Sequence, residues 1–179
     1  NIKMRASEVT KVHLASSLRS FINENHRRFP FHHYLRIAYN DALTYDAASN
    51  TGGMKANFMH SKVARASQNT KMQGLMQELA HKKVNVEDVT YDKISVADYF
   101  TAAALCTIDV ASGPRALDEF VWGRQDATEA DLGNVDNIPT HANYRSNMEA
   151  KGFSNEEIVA LASVEAFGLV NDPKLSRWQ

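Results

Sequence analysis

Cysteine is nearly missing from this chain of 179 residues, with Cys106 the one thiol. A lone cysteine cannot close an internal disulfide, and it leaves the redox compartment undecided. Set in an apolar run, it reads as a small buried hydrophobe rather than a reactive thiol. An excess of either charge is also lacking: 20 basic residues against 21 acidic ones give a net charge of -1. That balance offers no electrostatic argument for nucleic acid or an anionic membrane surface. No stretch approaches the roughly 18 consecutive apolar residues of a membrane span. The most apolar run, Val96 to Ala111, is broken by Asp98 and Asp109 and reads as a core helix. G-x-S-x-G, G-x-G-x-x-G and P-loop patterns are absent, and none of the seven histidines forms an H-x-x-x-H pair. A metal cluster is therefore not expected.

With only four prolines and eight glycines as punctuation, what remains is helical patterning almost throughout. The spacing predicts a first helix over Ser7 to Asn25, with Val9, Val12, Leu18, Phe21 and Ile22 on its apolar stripe. A second is predicted over Phe31 to Thr44, with Phe31, Leu35, Ala38 and Ala42 as its stripe. A third is predicted over Phe58 to Lys82, after a turn at Asn50 to Gly53. Ser95 to Asp98 reads as a capping box that opens a fourth helix, closed by Gly113-Pro114. Asp126 to Thr140 is polar and aperiodic, as a surface loop would be. A fifth helix is expected over His141 to Lys151. Ser154 to Glu157 is a second capping box, with Phe153 able to staple against Ile158, and it opens a sixth helix running to about Gly168. The expectation is all-α, a single domain over residues 1–179. A start at Asn1 instead of methionine is expected of a processed mature form or an incomplete amino terminus.

Two polar features stand out. Arg36 and Asn40 lie four apart and share a helix face, with Tyr39 beside them. Taken alone, this fits an exposed polar face. Glu165 falls on the stripe formed by Ile158, Leu161, Ala162 and Leu169. A buried carboxylate there must be paired, hydrogen-bonded or neutral; the alternative is that it snorkels to solvent.

The motifs in order resemble those of the ascorbate-peroxidase group of haem peroxidases. Leu35-Arg36-Ile37-Ala38-Tyr39-Asn40-Asp41-Ala42, then Thr44-Tyr45-Asp46 and Thr51-Gly52-Gly53, resemble that family's L-R-L-A-W-H-S-A-G-T-Y-D and T-G-G. Ile94 to Asp98 is similar to I-S-Y-A-D, and Gly123 to Asp126 to G-R-x-D. Glu157 to Leu161, with Gly168 downstream, resembles D-I-V-A-L-S-G-G-H-T-L-G. The resemblance implies a haem-peroxidase-like helical domain, C-terminally truncated after the proximal helix.

It also implies a lost chemistry. Arg36 keeps the distal arginine, while Tyr39 stands for the tryptophan and Asn40 for the histidine that moves peroxide's proton. An asparagine amide does not titrate usefully and cannot do this. Glu165 stands where the family's histidine ligates iron, and a carboxylate is a poor replacement there. Gln68 aligns with the asparagine that orients the distal histidine, and Lys174 with an arginine that helps bind ascorbate. Ser163-Val164 replaces the small glycine pair before the ligand.

The expectation is that Arg36, Tyr39, Asn40 and Glu165 are relict positions of a pseudo-peroxidase without haem or metal. Val164, Phe167 and Tyr39 would fill part of the haem slot, and Arg36 would pair with Glu165. By analogy with a haem-free ascorbate-peroxidase-like relative of the thylakoid lumen, associated with photosystem II, such a chain would be a structural subunit of a larger membrane complex. The thylakoid lumen is the expected place, with the mitochondrion as alternative. Competing expectations are a peroxide-reducing haem peroxidase with non-standard ligands, Glu165 or a stray histidine, and a stand-alone binding module.

Overall fold

The computed structural model describes residues 7–67, 69–140 and 142–168, with 164–168 as helical backbone. Among them the ordered elements are helices α1 (Glu8–Asn25), α2 (Phe31–Leu43), α3 (Ser61–Ala64), α4 (Gln73–Thr90), α5 (Val96–Val110), α6 (Tyr144–Ala150) and α7 (Asn155–Gly168), joined by short 3-10 turns. One isolated bridge, Asp46 with Thr51, closes the loop after α2.

Helix α1 starts where the sequence places it. The Ser7 hydroxyl accepts from the Thr10 amide at 3.2 Å, and Glu8 sits favourably in the first turn. Its buried face is Thr10, Leu14, Leu18, Phe21 and Ile22. Val9 and Val12, expected on that stripe, are instead 76% and 71% exposed. At about 100° per residue, Val9 lies opposite Leu18, so both valines fall off the stripe. Helix α2 is rotated relative to expectation in the same way. Its buried residues are Tyr34, Ile37, Asn40, Asp41 and Leu43, while Phe31, Leu35, Ala38 and Ala42 are half-buried.

The single helix predicted over Phe58 to Lys82 is broken. A 3-10 turn (Asn57–Met59), α3, a second 3-10 turn (Thr70–Met72) and α4 replace it. Short polar side chains cap the carbonyls that a continuous helix would use. Asn69 Nδ2 donates to the Val63 carbonyl at 3.0 Å, Gln73 Nε2 to Ala64 at 3.1 Å and Thr70 Oγ1 to Ala66 at 3.3 Å. Helix α4 then continues past Lys82 to Thr90. There buried Glu87 takes Lys83 at 2.8 Å and the Ile94 amide at 2.8 Å.

Helix α5 is the centre of the molecule, buried on most sides and packed against α1, α2 and α4. The Ser95 hydroxyl caps it by accepting from the Asp98 amide at 3.1 Å. Asp98 does not return the bond. Its carboxylate accepts from the Gly123 amide at 2.7 Å and the Arg124 amide at 3.2 Å. The open amides of Val96 and Ala97 go instead to Asp126, at 3.0 and 2.8 Å. The segment after α5 is thus strapped across its start.

Asp126 to Thr140 is irregular, as expected, but it is not only surface. The Gly133 amide reaches Asn57 Oδ1 at 2.7 Å, and Ile138 is buried. Gly133 and Gly52 lie back to back against Thr44, where a Cβ on either would collide. Helix α6 begins at Tyr144, later than expected; His141 lies outside the described residues. The capping box of α7 forms in both directions. Glu157 accepts from the Ser154 amide at 2.8 Å, and its own amide donates to the Ser154 hydroxyl at 3.3 Å. Phe153 and Ile158 meet in a second, smaller core with Leu43, Ile138 and Met148.

One carboxylate ties the loops to α2. Asp41 is buried and accepts from the Ala56 amide at 2.7 Å, the Asn57 amide at 2.7 Å and Asn57 Nδ2 at 2.9 Å. Burial outweighs these donors and raises its pKa to about 6. The folded chain therefore holds a proton between about pH 4 and pH 6 that the unfolded chain has released. Stability contributed by this group is greatest below about pH 4, falls as pH rises through that window and is level above it. Urea titrations at pH 4.5 and pH 7 should show this slope. Asp41→Asn should abolish it while lowering stability overall, because an amide nitrogen then faces a donor. In the small core, Met148→Ala should cost about 2–5 kcal/mol by the same titration, since Met148 is fully buried.

Candidate functional site

The residues singled out on α2 share one side of the helix because they are three and four positions apart. Asn40 is 3% exposed, and its Nδ2 donates to Asn69 Oδ1 at 3.0 Å. Asn69 is itself buried, and its own nitrogen is held by the Val63 carbonyl. That second bond settles which way the Asn69 amide points: its oxygen must face Asn40. The result is a buried amide–amide contact between α2 and the turn after α3.

The resemblance assigned the orienting position to Gln68, which lies outside the described residues. Among the described residues, its neighbour Asn69 is brought to Asn40. The stretch 65–72 has no helical period, so local spacing gave no signal for this contact.

Tyr39 lies at the other edge of this face. Its hydroxyl and that of Tyr144 are 2.7 Å apart, one donating to the other. The contact joins α2 to α6, and both rings pack on the small core that also takes Leu161 of α7. Tyr39, expected to fill part of the haem slot, therefore sits between α2, α6 and α7. Tyr144 had no sequence signal, because its partner is 105 residues away.

Arg36 is half-buried one turn before Asn40. Preceding it on α2, the His32 and His33 rings meet edge-on with centroids 4.6 Å apart. Burial lowers the pKa of both, and the Arg36 charge lowers each further. The Glu165 side chain, and with it the pairing expected with Arg36, lies outside the described residues. So do the side chains of Val164 and Phe167, and all of Lys174.

The described part of this face holds its polar groups in place. Its central amide does not titrate, and that amide and the adjacent phenol are both held by protein partners. Cys106 is fully buried, and burial pushes its thiol up to about 11, so it is inert at neutral pH. Among the described residues no three His, Cys, Asp or Glu side chains group as metal ligands, and no helix is long and apolar enough to cross a membrane.

Comparison with known proteins agrees with this frame. The chain is similar to the peroxisomal L-ascorbate peroxidase 5 of Arabidopsis thaliana, 30% identical over 136 residues. That match covers 75% of this chain and 46% of the relative. It is similar to a putative mitochondrial cytochrome c peroxidase of Yarrowia lipolytica, 29% identical over 142 residues, 75% of this chain and 47% of the other. The chain thus spans about half the length of the curated relatives it matches. Among solved structures, the TL29 protein of Arabidopsis thaliana superposes with a TM-score of 0.64 at 19% identity, over 94% of this chain and 82% of that one. This likeness shows the shared fold. The peroxidase family model matches residues 14–177, which includes the whole of α2 and α7, and the chain belongs to the peroxidase family as an ascorbate-peroxidase-like, all-α member.

Proposed function

We propose that this chain is a pseudo-peroxidase: a haem-free, catalytically inactive member of its family that serves as a structural or accessory subunit of a larger membrane-associated complex. The observation that carries this reading is the Asn40–Asn69 pair. Peroxide cleavage needs a base above the iron that takes a proton from the bound peroxide and returns it to the departing oxygen. Here position 40 carries an amide, hydrogen-bonded to Asn69 at 3.0 Å and unable to titrate. The distal residues therefore do not fit a haem engaged in peroxide chemistry. At the proximal position the sequence offers Glu165 in place of the ligating imidazole, which supports the same conclusion.

A subunit role is supported by apolar side chains left on the surface. Val9 and Val12, one turn apart on α1, are each more than two-thirds exposed, an apolar pair that a protein partner would cover. The host we infer is a photosynthetic assembly of the photosystem II type, in the thylakoid lumen. A mitochondrial complex is the alternative; relatives carry peroxisomal and mitochondrial names. One observation favours a second reading, a haem peroxidase with non-standard ligands: Arg36 and Asn69 both remain on the distal side.

Ultraviolet-visible spectroscopy separates the two. Adding haem to the purified chain should give no Soret band beyond that of free haem and no peroxide-dependent oxidation of ascorbate. A Soret band shifted by a protein ligand, with turnover, would restore the enzyme reading. Restoring the base alone with Asn40→His should leave peroxidase turnover within about tenfold of background, because the proximal position still lacks an imidazole. A rise of several orders of magnitude would sink the pseudo-enzyme proposal.

A further inference from the structure

Two polar atoms in the main core have no account in the peroxidase frame. The phenol oxygens of Tyr34 on α2 and Tyr99 on α5 are buried without a hydrogen-bond partner from the protein. Tyr34 is 1% exposed and Tyr99 is fully buried, so neither reaches bulk solvent. Their two helices pack directly against one another, and both rings belong to the same apolar cluster. Burial pushes both phenols well above the usual tyrosine range, and at Tyr99 the Cys106 thiol and Tyr34 add to the rise. Both hydroxyls thus lie in the apolar interior of the main core, whose α2 and α5 helices are in direct contact.

Phenylalanine would fill both places with nearly the same shape and no polar atom. A buried hydroxyl with no partner typically weakens folding by a factor of roughly five to a hundred or more, and two of them multiply that factor. Buried polar groups left over by the protein are generally satisfied by internal water, which needs at least two polar anchors and a polar site. Tyr34 and Tyr99 provide two such anchors, one from each helix.

We propose that Tyr34 and Tyr99 form an internal hydration site between α2 and α5, in which ordered water joins the two phenols. The water ties these helices at a polar point within an otherwise apolar contact. It thereby helps to hold α2 against α5, alongside the Asp41 ties on the same helix.

The test is a double-mutant cycle on the whole chain, with Tyr34→Phe, Tyr99→Phe and both together, measured by urea unfolding. These substitutions keep the ring and its packing, so the variants should fold. Each single change should raise the unfolding equilibrium constant by about five- to fiftyfold, since it removes one anchor and strands the other hydroxyl. The double variant should lie closer to the parent than either single one, because no hydroxyl is then stranded. A crystal structure should show water within hydrogen-bonding distance of both oxygens. Single variants as stable as the parent or more so, with additive effects and no solvent density between the rings, would overturn the proposal.

Discussion

Asp41 is the point through which much of the architecture is tied. It sits on the buried side of α2 and gathers three donors from the backbone and side chain of Ala56 and Asn57. Asn57 passes the connection on, giving its nitrogen to the Gly53 carbonyl at 2.6 Å and taking the Gly133 amide on its oxygen. A helix, the loop after it and the long segment before α6 are thus held by one buried carboxylate. The interaction tolerates little rearrangement, because a buried charge is stable only while its donors stay in place. The rotation of α2 follows from it. With Asp41, Ile37 and Tyr34 turned inward, Asn40 must meet the turn after α3, and Tyr39 must meet α6.

Under the proposed reading, a catalytic frame persists as a structural one. The positions that flank the distal side of a peroxidase are occupied, packed and hydrogen-bonded. Yet the bonds they make are protein-to-protein ties: amide to amide at Asn40–Asn69, phenol to phenol at Tyr39–Tyr144. Such pairs resist displacement because breaking one strands a buried polar atom. In an enzyme the same groups would have to stay available to a substrate. Here their hydrogen-bonding capacity contributes to stability and to the relative placement of α2, α6 and the turn before α4.

Features whose partners lie within a turn or two were legible from the sequence. The Ser154–Glu157 box, the Ser95 cap, the bounds of α1 and α5 and the burial of Cys106 all stand as expected, because each depends on residues a few places apart. The motifs around Leu35 to Ala42 and Glu157 to Leu161 led to the family for a related reason: they are contiguous strings. Where expectation failed, a distant group had intervened. Asp98 abandoned its capping role for amides about 25 residues away. Side-chain caps at Asn69, Thr70 and Gln73 interrupted a helix that apolar spacing alone would have continued.

The sequence by itself determined the helical class, the family and the presence of a non-titrating asparagine at position 40, since these depend on residue identity and local spacing. Only the tertiary structure decided which faces of α1 and α2 turn inward, that Asn69 meets Asn40, and that Tyr144 closes on Tyr39. Periodicity gives a stripe but not its exact rotation. Hydrogen bonds between residues tens of positions apart are chosen by the packing of the whole chain, and no local pattern encodes them.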